Sequence, residues 1–98
     1  MGGLTIQFSP RAQNDIADAF HHYRTVHLQL AARFMDEMQQ TLFFIQSHPN
    51  SFQHVQENST IRRAVMHSFP HIIAYDTLEN SLIILRVRSS RQNPSGLL

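Results

Sequence analysis

This 98-residue chain has no cysteine, and none of its cations is lysine. Without cysteine there is no disulfide and no thiolate metal site, a pattern that fits a cytoplasmic protein. Without lysine, all eight cations are arginines, whose planar fork matches carboxylate and phosphate. Long apolar runs are missing too. The longest aliphatic one, Leu82-Ile83-Ile84-Leu85, falls far short of the roughly 20 residues a membrane helix needs, so no membrane partner is expected. The amino end carries no signal-peptide pattern, and Ile6 stands where a myristoylation motif has Ser or Thr. Neither an internal repeat nor a low-complexity tract is visible.

The length suits a single domain spanning residues 1–98, with one two-layer core. Charge is unevenly spread. Residues 1–60 hold three arginines against five acids, a balance of −2, whereas residues 61–98 hold five arginines against Asp76 and Glu79, a balance of +3. The basic half points to an anionic partner, nucleic acid or an acidic protein segment; it fits a charge-protected sheet edge equally well.

Along the chain, Leu4, Ile6 and Phe8 alternate with Thr5 and Gln7, the pattern of a half-buried strand. Ser9-Pro10 then supplies an N-cap hydroxyl and a first-turn proline. A first helix is predicted from Pro10 to about His27, with Ala12, Ile16, Ala19, Phe20, Tyr23 and Val26 on one stripe. Arg11, Asp15, Asp18 and His22 fall on the opposite face, spaced for pairing with one another in water. A second helix, from about Gln29 to Ser47, has Ala31, Phe34, Met35, Met38, Leu42 and Ile45 at helical spacing. Its apolar arc is widened by Ala32 and Phe43 on one side and by Leu30 and Phe44 on the other. Phe44 is expected to pack under the polar segment that follows, anchored at Phe52 and Val55 and running to Thr60.

Three runs rich in β-branched and aromatic residues close the chain: Ile61 to Met66, His71 to Tyr75 and Ser81 to Val87. Phe69-Pro70 and the segment 76–80 separate them, as in a three-stranded meander. Arg62 and Arg63 begin the first strand, Arg86 and Arg88 end the last, and Arg91 follows. The first and third strands of a meander run the same way, so these clusters meet only if the sheet twist brings them together. Gln92 to Gly96 reads as a flexible tail, covering about residues 92–98.

The strings FSPRAQNDIADAFHHYR, ARFMDEMQQTLFFIQSHP, IRRAVMHSFPHIIAYD and ILRVRSSRQNP, in that order, resemble the RelE/ParE superfamily of toxins from type II toxin–antitoxin modules. The resemblance covers about Ile6 to Pro94. It implies an α+β domain of order β-α-α-β-β-β, with a helical hairpin packed on one face of a twisted, mainly antiparallel sheet. It also implies an antitoxin partner, a toxin–antitoxin hetero-oligomer and no cofactor. Such toxins have two activities: RelE-like members cut messenger RNA on the ribosome, and ParE-like members poison DNA gyrase.

Metal-free RNA cleavage needs a base, an acid and cations over the phosphorane charge. The residues here that could serve are Arg62, Arg63, His67, His71 and Arg91, with His54 and Glu57 on the long segment. The resemblance argues against that set. Ser89 stands where many RelE-like members have histidine, no tyrosine follows it, and no lysine is present to fill the basic roles. The strings Ser9-Pro10, Asp15-Ile16 and Phe69-Pro70 are similar to the ParE branch. His71 occupies the tyrosine position of a Phe-Pro-Tyr string and reads as structural. Histidine spacing gives no metal pair on one helix face.

The expectation is therefore a ParE-like toxin of a plasmid-stabilisation module that binds gyrase. The alternatives are a ribosome-dependent endonuclease and a non-toxic antitoxin-binding relative. Target contact is expected at Arg86, Arg88 and Arg91, and antitoxin contact at Leu30, Phe44, Arg62 and Arg63. The predicted core is Ile16, Phe20, Tyr23, Phe34, Met38, Leu42, Val65, Ile73, Tyr75, Ile83 and Leu85.

Overall fold

The structure is a computed structural model that describes residues 3–90. A short strand β1 (Thr5–Phe8) leads into helices α1 (Pro10–Val26) and α2 (Leu28–Ser47). Strands β2 (Arg62–Val65), β3 (His71–Leu78) and β4 (Ser81–Ser89) follow. Both helices pack on one face of a four-stranded sheet of order β1-β4-β3-β2, in which β1 is parallel to β4 and the other pairs are antiparallel. This is the α+β architecture read from the sequence.

Local chemistry explains the helix ends. The Ser9 hydroxyl accepts the Ala12 N–H at 3.0 Å, which caps α1, and donates to the Leu85 carbonyl at 2.8 Å, which ties that cap to β4. His27 serves both helices. Its backbone N–H bonds to the Tyr23 carbonyl, closing α1, while its Nδ1 accepts the Gln29 N–H at 3.1 Å, opening α2. Helix α1 thus stops at Val26, one residue before the predicted His27. Val26 leaves the predicted stripe and is exposed at the bend.

The core is built on Phe34, Met38, Leu42 and Ile45 from α2, Ala12 and Ala19 from α1, and Ile73, Tyr75, Leu82, Ile84 and Val87 from the sheet. Ile16 and Tyr23 pack against it half-buried, and Phe20 is also half-buried. Three predicted core positions are corrected. Val65 is 66% exposed, because Ala64 and Met66 are the inward residues at β2. Ile83 and Leu85 are only partly buried, while Leu82 and Ile84 are sealed. A β-bulge explains the second correction. Tyr75 pairs with Ile84 and Ala74 with Arg86, so Leu85 is the extra residue and the inward phase jumps from Ile84 to Val87.

Strand β3 runs through Asp76, Thr77 and Leu78 rather than ending at Tyr75, and the hairpin turns at Glu79-Asn80. Glu79 takes a left-handed φ of 54°, which costs a side chain strain that glycine avoids. The polar segment before β2 is anchored as expected at Phe52, and it reaches the outer edge of β2. The Arg63 N–H bonds to the Gln53 carbonyl and the Val55 N–H to the Ile61 carbonyl, both at 2.9 Å. Strand β2 is the sheet's edge, so this covers part of an otherwise open row of backbone groups.

Candidate functional site

The basic half forms a short arginine array on the sheet face opposite the helices. Arg63, Ala74 and Arg86 lie in one row across β2, β3 and β4, and Val65, Ile72 and Arg88 lie in the next. Side chains of paired residues leave on the same face, so the two clusters share rows of the sheet at Arg63 and Arg86, flanking Ala74, although the Arg86 guanidinium is drawn to α1. Arg91 lies outside the described residues.

Arg86 has a structural partner. Its Nε donates to Asp15 Oδ2 at 2.9 Å and its Nη2 to Oδ1 at 3.3 Å, while the Val87 N–H donates to Oδ2 at 2.9 Å. The hydrogen bonds from the guanidinium to Asp15 raise the pKa of Arg86 further, against the effect of burial. Strand β1 pairs with β4 only over Ser81 to Ile84, so further along β4 the outward N–H of Val87 needs an acceptor from elsewhere. Helix α1 supplies it. Asp15, which the sequence placed in water beside Arg11, instead turns inward to stitch α1 to β4. Only the missing ladder partner of Val87, visible once the length of β1 is known, would have signalled this role.

Arg62 is held by the protein as well. It shares a row with Tyr75, and its Nη1 donates to the Phe52 carbonyl at 2.5 Å. Burial pushes the Tyr75 hydroxyl up to about 12, the positive charge of Arg62 opposing, and that hydroxyl donates to the Pro49 carbonyl at 2.7 Å. Phe44 is 52% exposed; its ring stacks on His48 at 4.6 Å and meets Phe52 edge-on at 5.8 Å. The expected packing of Phe44 under the loop is thus made on one side only. Its other side, with Val65 and Thr41, lines a groove of about 510 Å³ between α2 and β2. His67 lies at the far end of that groove near Glu37. Partial burial raises the Glu37 pKa, but bonds from the Ser68 and His67 backbones and the His67 charge outweigh it, and the net shift is downward.

His71 lies elsewhere. It is 6% exposed, stands on the helix side of β3, and contacts Tyr23 and Phe34 with ring centroids at 5.9 and 5.1 Å. Burial pushes its pKa down, His22 adds repulsion, and Asp15 opposes. Leu30 is half-buried at the start of α2 and helps line a cleft of about 590 Å³ beside His71.

Among the described residues, the nuclease candidates therefore do not converge. His71 and Arg62 belong to the helix side of the sheet, Arg63 to the other face, and His67 to the α2–β2 groove. His54 forms an isolated bridge with Arg62 at the β2 edge, and Glu57 is exposed on the same loop. Among the described residues no group of three histidine or acidic side chains is placed to hold a metal, and no helix is long and apolar enough to cross a membrane.

Known proteins match this arrangement at the level of fold and family. A chain of the chromosomal ParDE TA system from P. aeruginosa superposes with a TM-score of 0.76 at 15% identity, covering 88% of this chain and 95% of that one. The solution structure of a conserved hypothetical protein from Helicobacter pylori gives a TM-score of 0.49 at 14% identity, covering 88% of this chain and 93% of that one. No curated protein sequence matches. The family model described as the ParE toxin of the type II toxin–antitoxin system, parDE, matches residues 6–94. That span is most of the sequence, and the chain belongs to the ParE toxin family.

Proposed function

We propose that this ParE-family toxin arrests growth by binding DNA gyrase, that it cuts no RNA, and that a cognate antitoxin holds it inactive. The observation that carries the reading is the dispersal of the nuclease candidates. A 2′-hydroxyl attack needs base, acid and cation within reach of one phosphate, whereas His71 is buried in an aromatic cluster and Arg62 is spent on the Phe52 carbonyl. Inhibition by binding asks for less: an exposed surface with a few anchors, often arginine. Arg63 and Arg88 on the sheet face opposite the helices, with Arg91 following in the sequence, are the proposed anchors for the target. Phe44 and Val65, exposed beside an incompletely covered strand edge, suit an antitoxin segment with apolar residues.

The test is inducible expression with two readouts, the DNA-damage response and the integrity of messenger RNA on translating ribosomes. The damage response is expected to rise with transcripts intact. Transcript cleavage without a damage response would refute the reading.

A further inference from the structure

Strand β1 is the sheet edge opposite β2. The Thr5 N–H bonds to the Asn80 carbonyl at 2.8 Å and the Ser9 N–H to the Ile84 carbonyl at 2.9 Å. Backbone groups alternate in direction along a strand, so Leu4, Ile6 and Phe8 turn their N–H and C=O away from β4, towards the free edge. Such a row is a template for a further strand, and proteins blunt it with lysine or other charge, proline or a bulge. Here none of those devices is present: the side chains of residues 1–9 carry no charge and include no proline, the chain has no lysine, and β1 pairs with β4 in an unbroken register.

Two glutamines stand in their place. The Gln46 Nε2 donates to the Leu4 carbonyl at 2.6 Å, and the Gln13 Nε2 donates to the Phe8 carbonyl at 3.1 Å. One amide comes from α2 and the other from α1, and each lies where a neighbouring strand would bring its own N–H. Gly3 makes room for the first, since a side-chain carbon there would meet the Gln46 Cγ at 3.2 Å, closer than ordinary van der Waals contact. Between the two glutamines, the outward N–H and C=O of Ile6 make no hydrogen bond among the described residues.

We propose that Gln13 and Gln46 keep β1 from pairing with the same strand of a second copy of this chain. The strand is a suitable partner for itself. In an antiparallel pairing centred on Ile6, the two Ile6 residues exchange both hydrogen bonds, Leu4 of one copy faces Phe8 of the other, and Thr5 faces Gln7. Leu4, Ile6 and Phe8 share the helix side, because Ile6 and Phe8 pair with the sealed Leu82 and Ile84. Apolar thus meets apolar, and no like charges are opposed. Phe8 also lines, with Ile16, Phe20 and Met35, an apolar hollow of about 510 Å³ beside the strand, which the joined edges would extend. A charged partner segment finds no counter-charge on β1, which leaves a second, equally neutral copy as the occupant. Every outer bond of that ladder ends on the carbonyl of Leu4 or Phe8, the two that the glutamines already hold. Only the central exchange at Ile6 is left, too little to join two chains. The proposal goes beyond the toxin's target and antitoxin and does not depend on either.

The test uses the full-length chain. Sedimentation equilibrium compares the parent with Gln13→Ala, Gln46→Ala over rising concentration, and amide hydrogen exchange is followed at Ile6 and Gln7. The parent is expected to stay monomeric. The double variant should rise towards twice the parent's mass, with exchange at Ile6 slowing as concentration increases while Gln7, whose N–H faces β4, stays protected. Adding Thr5→Lys and Gln7→Lys, which sets like charges opposite each other across the paired edges, should restore the monomer. Gln13→Ala alone, a change at an exposed residue, opens only the Phe8 end and should associate more weakly than the double variant but more than the parent; it decides the matter if the double variant does not fold. Folded variants that stay as monomeric as the parent, association that survives the lysines, or a parent already paired through Ile6 would each overturn the proposal. So would loss of protection at Gln7 without association, which would make the glutamines mere ties between β1 and the helices.

Discussion

The two flanks of the helix–sheet layer are closed by different chemistry. On the β4 flank, α1 is joined to the sheet by directed polar contacts, from the Ser9 hydroxyl to the Leu85 carbonyl and from Asp15 to Arg86 and the Val87 N–H. On the β2 flank, α2 meets the sheet through rings, a loop and one directed bond from the Ser68 N–H to Glu37 at 2.8 Å, and Phe44 and Val65 remain largely in solvent. Directed contacts fix one geometry, whereas a loosely covered flank keeps apolar surface available. The difference suits a toxin that must hold its own fold while leaving a face open to another chain.

The largest effects are expected in the core between the two flanks. Ile84→Ala is expected to cost about 2–5 kcal/mol, since a fully buried side chain leaves a cavity. Leu85→Ala, at the bulge and half-buried, should cost clearly less. Urea denaturation of both variants checks the order, and equal losses would place the bulge wrongly.

Next comes Asp15→Asn, which weakens the bonds to Arg86 and the Val87 N–H at once. Hydrogen bonds to charged groups contribute about 1.5–3 kcal/mol, and a loss in that range is expected. Phe44→Ser on the other flank should change stability by no more than about 0.5 kcal/mol. If the two substitutions had equal effects on the melting temperature, the contrast between the flanks would be lost.

A smaller effect follows from His71. Its folded-state pKa lies below the ordinary value of 6.5 because of burial, with His22 adding to the shift. The unfolded chain therefore binds a proton first as pH falls, so stability is full above the unfolded value and declines below it until the folded pKa is reached. His71→Phe should flatten that decline, and thermal melts at a series of pH values from neutral downward measure it. A gain is expected from Glu79→Gly, which relieves the positive φ and should add about 0.5–1 kcal/mol.

The sequence shows some of this plainly. Ser9-Pro10 and the spacing of Phe34, Met38, Leu42 and Ile45 define the helices, because caps and 3.6-residue periodicity are local signals. The phase of β4 is not local. Leu82 to Leu85 are four apolar residues in a row, so alternation cannot say which two face inward, and the choice is made by pairing with β3 and by the bulge. At β2 the alternation of Arg63, Val65 and His67 is legible, but valine drew the inward assignment that the smaller Ala64 holds. For the candidate site, the sequence reveals the arginine clusters but not that Asp15 commits Arg86, because a contact across 71 positions leaves no mark in either segment.

On the reading proposed above, this toxin acts by binding and not by cutting RNA. The most direct test is growth arrest by a His67→Ala, His71→Gln double variant shown to be folded by circular dichroism and expressed at the parent's level. The arrest should persist nearly undiminished, with messenger RNA intact in both proteins. Loss of arrest in the folded variant, together with messenger RNA cleavage by the parent that the variant lacks, would contradict the claim.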